Sequence, residues 1–382
     1  MNKNIFIFTI VTLLFLISSC THDKKMSTSS VTDESEYINI NPSDAQIVNL
    51  SSFVKDIKYW IPDSSIIVGN ISKFEIHKER YYIFDNKTQR LCIFDKNGTF
   101  VQQIGKLGNG PGEYIRFQDF TVSEDNSLIY ILNSSPNEIL IYDFNGRFLK
   151  NVPIDIMGKE LYVYDDYFWI FTNGSDFYTK RKDKDYNLFK LNQEGIIISR
   201  HLKYDKRFDS HSPFNAILNN NKYADFHYSI NNNLYKLDSL ISLSAVIDFG
   251  RNNLPYEIIT SKNAVEYLNA DQFARVANAV TGNECTYLNY VFKNRTYGFI
   301  KYKDNPPINY SFLNNDIDDV SFALSMPFDI VNNKILYIKD IDQFFYNNKK
   351  EYLQLKNMND SIVTITKESN PVIAILTMHD KF

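Results

Sequence analysis

Leu91-Cys92-Ile93-Phe94-Asp95-Lys96-Asn97-Gly98-Thr99-Phe100-Val101 sets two strand-favouring apolar runs around a turn that begins with Asp and has Gly where a positive φ is needed. The same grammar returns in Ile139-Leu140-Ile141-Tyr142, Asp143-Phe144-Asn145-Gly146 and Arg147-Phe148-Leu149. It returns again in Leu188-Phe189-Lys190-Leu191, Asn192-Gln193-Glu194-Gly195 and Ile196-Ile197-Ile198. The turn glycines stand at 98, 146 and 195, spaced by 48 and then 49 residues. One strand earlier, Tyr81-Tyr82-Ile83-Phe84, Ile129-Tyr130-Ile131-Leu132 and Phe168-Trp169-Ile170-Phe171 keep the same rhythm. A repeat of this length, built of hairpins, is one supersecondary unit that buries its faces only by stacking on its neighbours.

Weaker copies continue through Tyr223 to Tyr228 with Leu234-Tyr235-Lys236-Leu237, Leu288 to Phe292 with Tyr297 to Tyr302, and Ile335-Leu336-Tyr337-Ile338, giving six units. Four short antiparallel strands per 40 to 50 residues define propeller blades, so the expected fold is all-β, a six-bladed β-propeller over residues 46–382. An open array would expose sheet edges. Phe53-Val54-Lys55-Asp56-Ile57-Lys58-Tyr59-Trp60 is therefore expected to complete the last blade beside Val372-Ile373-Ala374-Ile375-Leu376. Two stretches carry helical spacings. Residues 256–280, with Ala264, Val265, Leu268, Phe273, Val276 and Ala277, predict a helical insertion, and Asp342 to Met358 predicts a second.

The chain of 382 residues carries 41 Lys and Arg against 45 Asp and Glu, a net charge of -4, which excludes a basic nucleic-acid binder. Its 15% aromatic content excludes a long disordered chain. At the N-terminus, Lys3 precedes the apolar run Ile5 to Ile17, too short to span a bilayer and of secretory length, so residues 1–19 read as a signal peptide. Ile17-Ser18-Ser19-Cys20 resembles a bacterial lipobox, in which the Cys20 thiol takes the lipid. Residues 20–45 then read as the lipidated cysteine and a flexible polar tether, whose twenty-odd links reach roughly 25–30 Å. This places the protein as an outer membrane lipoprotein, on the periplasmic face or the cell surface, with the lipid bilayer as one partner. Cys92 and Cys285 lie in apolar runs far apart in the repeat order and are expected as free buried thiols.

Gly105-Lys106-Leu107-Gly108-Asn109-Gly110-Pro111-Gly112-Glu113-Tyr114 lacks the Lys-Ser or Lys-Thr of a phosphate loop and has Glu113 where a dinucleotide fingerprint needs Gly. It reads as a crossover between blades. From Phe94 to Tyr114 the sequence is similar to the signature of NHL-like six-bladed propeller lipoproteins of Bacteroidota. Leu50-Ser51-Ser52-Phe53-Val54 and Asn370-Pro371-Val372-Ile373 are similar to that family's ends. The resemblance implies a propeller on a lipid anchor, and it implies no reaction.

Catalysis in a propeller needs ligands or acids converging on the channel from several inner strands. Glu75 and His77 alternate on the first, Asp119 opens the second, Asn215 lies near the fourth and Asp329 precedes the sixth. These five are the channel candidates. They would line a site for a divalent cation if the protein were a lyase or a lactonase-type hydrolase. The remaining histidines form no HxH or HExxH spacing, and no G-x-S-x-G occurs. The expected function is accordingly a non-enzymatic binding or scaffold module without cofactor, acting as a monomer on a glycan, a peptide or an envelope protein. Tyr178, Tyr204, Phe208 and Phe214 on irregular stretches are available for stacking.

Overall fold

In a β-strand successive side chains face opposite ways, so Tyr81 and Ile83 serve one neighbour while Tyr82 and Phe84 serve the other. This alternation organises the whole protein in the computed structural model. It describes residues 35–382 apart from 124, 175–184, 204–215, 220–222, 229–231, 256, 259–265, 267–270, 283, 323–325 and 346–349.

The chain opens with β1 (Glu36–Asn39), β2 (Gln46–Asn49) and β3 (Val54–Trp60). The first blade is β4 (Ile71–His77), β5 (Arg80–Asp85), β6 (Arg90–Asp95) and β7 (Phe100–Ile104), in that spatial order. The second is β8 (Phe117–Ser123), β9 (Leu128–Ser134), β10 (Asn137–Asp143) and β11 (Phe148–Pro153). The third is β12 (Glu160–Tyr164), β13 (Tyr167–Phe171), β14 (Tyr186–Leu191) and β15 (Ile197–Lys203). The fourth is β16 (Ile217–Asn219), β17 (Ala224–Tyr228), β18 (Asn233–Leu237) and β19 (Ile241–Asp248). The fifth is β20 (Arg275–Thr281), β21 (Cys285–Phe292), β22 (Arg295–Tyr302) and β23 (Ile308–Asn314). The sixth begins with β24 (Asp329–Val331) and β25 (Lys334–Lys339), carries a hairpin of β26 (Tyr352–Lys356) and β27 (Ile362–Thr366), and ends with β28 (Val372–Met378) and then β3.

The buried apolar residues fall into six clusters, one at each interface between blades. Tyr82, Phe84, Leu91 and Ile93 meet Phe117, Phe120 and Ile131 between blades 1 and 2. Tyr130 and Leu132 meet Leu161, Phe168 and Ile170 across the next interface. Trp169 and Phe171, the opposite face of β13, meet Phe226 and Tyr235 of blade 4. The Tyr and Phe enrichment of the composition is thus largely packing between blades.

The three quoted turns share one mechanism. Asp95 Oδ1 accepts the N–H groups of Asn97 (2.8 Å) and Thr99 (2.9 Å). Asp143 Oδ1 does so for Asn145 and Arg147, and Asn192 Oδ1 for Glu194 and Ile196. Gly98 has a φ of 89°, and a Cβ there would lie 1.9 Å from the Ile61 carbonyl oxygen, so the turn and its seat on the preceding loop both need glycine.

Closure follows the expectation and goes beyond it. β28 pairs antiparallel with β3, with Leu376 opposite Ile57, so the chain's beginning supplies the fourth strand of blade 6. Trp60 then stacks on Tyr81 of blade 1 at 4.3 Å and 9°. The segment before it also works. β1 adds a fifth, parallel strand to blade 4 and β2 a fifth, parallel strand to blade 5, so the N-terminus belts three consecutive blades. Residues 36–45, expected as tether, are therefore ordered, with Ile38 and Ile40 buried beside Ala245 and Tyr290.

The helical expectations are met in part, since the described residues 257, 258 and 266 and Ile341–Phe345 are helical. Residues 275–280 form β20, with β-branched Val276 and Val280 buried in a sheet, while most of 256–270 lies outside the described residues. Around Asp342 to Met358 the described helical residues are Ile341–Phe345. Leu353 and Leu355 are buried while Tyr352 and Gln354 are exposed, a period of two that makes this stretch a strand. Cys92 and Cys285 are free and buried, and burial pushes their thiols up to about 11 and about 12. The loop from Gly105 to Tyr114 is the crossover from blade 1 to blade 2, held by the Tyr142 hydroxyl donating to the Gly112 carbonyl at 2.7 Å.

Candidate functional site

The inner strands β4, β8, β12, β16, β20 and β24 surround the channel. Because Lys73, Glu75 and His77 alternate along β4, all three fall on one face of it. Lys73 Nζ lies 2.9 Å from Asp119 Oδ1 and 3.6 Å from Glu75 Oε1, and it donates to the Phe120 carbonyl at 2.7 Å. Glu75 Oε2 is 3.1 Å from His77 Nε2. A continuous polar chain, His77 to Glu75 to Lys73 to Asp119, therefore joins blades 1 and 2.

The carboxylates also reach forward around the ring. Glu75 accepts the Val122 N–H of blade 2 at 2.9 Å, and Asp119 accepts the Leu161 N–H of blade 3 at 2.7 Å. Glu160 accepts the N–H groups of Ala216 (3.0 Å) and Ile217 (2.8 Å) of blade 4. Two amides extend the series. Asn232 accepts the Val276 N–H, and Asn278 donates to the Pro327 carbonyl. Inner strands of adjacent blades are not laddered to each other, so these side chains satisfy backbone groups that would otherwise be buried and unpaired. The channel acids latch blade to blade.

Their protonation follows from these partners. Burial pulls Lys73 down, but Asp119 and Glu75 outweigh it and hold the ammonium above its ordinary value. Burial pushes Glu75 up, but His77, Lys73 and the Val122 N–H hold it below the usual range. Burial, helped by the Asp119 charge, pushes the Glu160 carboxyl up to about 7. Burial, with Glu75 adding repulsion against the pull of the Ile330 N–H, pushes Asp329 up to about 7. An acid whose folded pKa lies above its unfolded value favours the fold fully below the unfolded pKa, and that contribution is lost as pH rises through the folded one. Asp329→Asn keeps an acceptor for the Ile330 N–H and removes the charge. It is expected to stabilise the protein by roughly 1–3 kcal/mol at pH 8 and little at pH 4, read from denaturant melts at the two pH values. Equal effects at both would refute this assignment.

Of the sequence candidates, the structure joins Glu75, His77 and Asp119 in one network and sets Asp329 near Glu75 and His77. Asn215, Cys20 and the loop aromatics Tyr178, Tyr204, Phe208 and Phe214 lie outside the described residues. Among the described residues no three His, Cys, Asp or Glu side chains come together as cation ligands. Sequence reasoning missed Lys73 and Glu160. The period-two alignment of Lys73 with Glu75 and His77 was a usable signal.

One mouth of the channel opens into a cavity of about 660 Å³, bounded by the starts of the inner strands of blades 1, 2, 3, 4 and 6. Lys73, Asp119 and Glu160 form its charged wall, and Arg116 and Lys159 stand just before β8 and β12. Asp119 and Glu160 are committed as described. Arg116 and Lys159 have no acidic partner among the described residues.

Six four-stranded blades closed by an N-terminal belt, with a polar cavity at one channel mouth, define a six-bladed β-propeller. The chain belongs to the family described as "Domain of unknown function (DUF4934)", whose profile matches residues 35–377, from the belt to the last strand. Among solved structures, the chain is similar to a Bacteroides fragilis protein whose name marks it as a candidate exported protein. The TM-score is 0.70 with 16% identity, covering 90% of this chain and 99% of that one. It is also similar to a member of the DUF4221 family from Bacteroides vulgatus, with a TM-score of 0.50, 10% identity and coverage of 85% and 97%. At these identities the likeness concerns the fold. No curated protein matches the chain.

Proposed function

We propose that the protein is a non-enzymatic binding module of the cell envelope, anchored through lipidated Cys20, whose ligand seats in the channel-mouth cavity. The observation that carries this reading is the division of labour in the channel. The acids Glu75, Asp119 and Glu160 are occupied in latching blades, whereas Arg116 and Lys159 stand at the rim with no acidic partner among the described residues. A general acid or nucleophile needs a side chain free to reach substrate. A binding site needs concavity and a few uncommitted polar groups, which the mouth supplies.

The envelope address is supported by the secretory run and by Ile17-Ser18-Ser19-Cys20, and agrees with the name of the Bacteroides fragilis relative in fold. The signature from Phe94 to Tyr114 supports kinship with NHL-like propeller lipoproteins. The protein then sits in the outer membrane, with its ring on the periplasmic face or the cell surface. Palmitate labelling of the wild type, abolished in Cys20→Ala, checks the anchor; labelling that survives the substitution removes it.

Binding is tested by thermal melting against a panel of mono- and oligosaccharides and short peptides. A ligand at 100 times its Kd is expected to stabilise the fold by about 2.7 kcal/mol and to be recovered chemically unchanged. Conversion of the stabilising compound to product would overturn the non-enzymatic reading.

A further inference from the structure

We infer that the channel-mouth cavity takes a hydroxylated anion, a sugar bearing a carboxylate or a phosphate, with Arg116 and Lys159 as its charge contacts. The inference rests on the binding reading above and names the ligand class of that same site.

Charge comes first. Three cations and two acids line the cavity. Lys73 and Asp119 neutralise each other at 2.9 Å, and Glu160 is held by two backbone N–H groups, its carboxyl pushed up to about 7 by burial and the Asp119 charge. The uncompensated charge facing the cavity is therefore positive and belongs to Arg116 and Lys159. Guanidinium and ammonium groups bind carboxylate and phosphate oxygens through charge-assisted hydrogen bonds.

Hydroxyl recognition comes second. Asn86, Gln118 and Asn173 also line the cavity, and their side-chain amides make no hydrogen bond among the described residues. Each offers a donor and an acceptor to a hydroxyl, which is donor and acceptor itself. Size comes third. About 660 Å³ lies within the range of small-ligand pockets and far exceeds what one inorganic ion fills. The depression of about 470 Å³ between blades 4 and 5 lacks this character, because the acids Glu36, Asp225, Glu284 and Asp304 outnumber the lysines 236, 301 and 303 in its lining.

The test is calorimetric titration of the detergent-solubilised full-length protein with galacturonate, glucose 6-phosphate, galactose and inorganic phosphate. At least one acidic sugar is expected to bind ten- to hundredfold more tightly than galactose, and more tightly than inorganic phosphate. Which of the two wins decides between carboxylate and phosphate. Arg116→Gln with Lys159→Gln is expected to remove that preference while leaving the melting temperature of the unliganded protein unchanged, since both residues lie outside the latch network. Equal binding of galactose and the acidic sugars, or a preference that survives the double substitution, overturns the charge assignment and leaves the binding reading intact. Inorganic phosphate binding as tightly as the sugars overturns the hydroxyl part. No saturable binding of any of the four overturns the ligand class, and the wider panel then decides whether the site binds at all.

Discussion

Deleting residues 46–61 is expected to abolish the single cooperative unfolding transition. The deletion removes β2 and β3, exposes the edge of β28 along its whole length and takes Trp60 away from Tyr81 and Phe94. It also removes Leu50, Phe53, Val54, Ile57, Tyr59 and Trp60 from the core. At about 1.5–3 kcal/mol for each large buried apolar side chain, these six contribute on the order of 10 kcal/mol, comparable to the whole stability of an ordinary domain. A ring cannot share this loss locally, because each blade buries its faces only through its neighbours. The measurement is circular dichroism during guanidinium and thermal melts. A broadened, non-cooperative or absent transition is expected, and a melting curve like the wild type's would refute closure by the belt. Trp60→Ala is the milder companion, expected to cost about 3–5 kcal/mol with cooperativity retained.

Lys73→Met is expected to cost about 3–5 kcal/mol at pH 8. Methionine keeps much of the stem's volume but leaves Asp119 and Glu75 buried without their shared cation. The sign of the pH dependence separates this cause from a packing defect. Burial already holds the Asp119 carboxyl above its ordinary value, and losing Lys73 shifts it and Glu75 further upward, so the native variant holds protons that the wild type has released. Its deficit should be small near pH 4 and grow as pH rises towards neutrality. Adding Asp119→Asn to Lys73→Met should recover part of the loss at pH 8, because one orphaned charge disappears. A deficit of equal size at pH 5 and pH 8 would sink the electrostatic explanation.

Much of the architecture was readable where local chemistry repeats. The turns at Asp95, Asp143 and Asn192 declare themselves because an Asx side chain capping two N–H groups and a glycine at positive φ are requirements of four adjacent residues. The hairpin β26–β27 uses the same cap at Asn357, which accepts from Asn359 and Ser361, yet its first strand falls within Asp342 to Met358, whose spacings point to a helix. There Asp360, at a φ of 62°, stands where the other turns have glycine, and the signal was lost. The belt was half legible. Phe53 to Trp60 carries a full strand's apolar content, whereas β1 and β2 are four-residue strands in polar sequence, stabilised by parallel edges that belong to blades 4 and 5.

The candidate site divides in the same way. Glu75, His77 and Asp119 were placed on their inner strands from sequence because a strand's period is local. That Asp119 serves the Leu161 N–H and Glu160 the Ala216 and Ile217 N–H groups could not be read, since each partner lies some 40 to 60 residues away on the next blade. The amino-acid order decided the number of blades and the turn geometry, both of which depend on residues close in the chain. Ring closure decided which acids became latches, which cations were left facing the channel mouth and where the first strands would dock. Those properties come from bringing six distant inner strands around one axis, where desolvation favours polar groups that find a partner or face the open cavity.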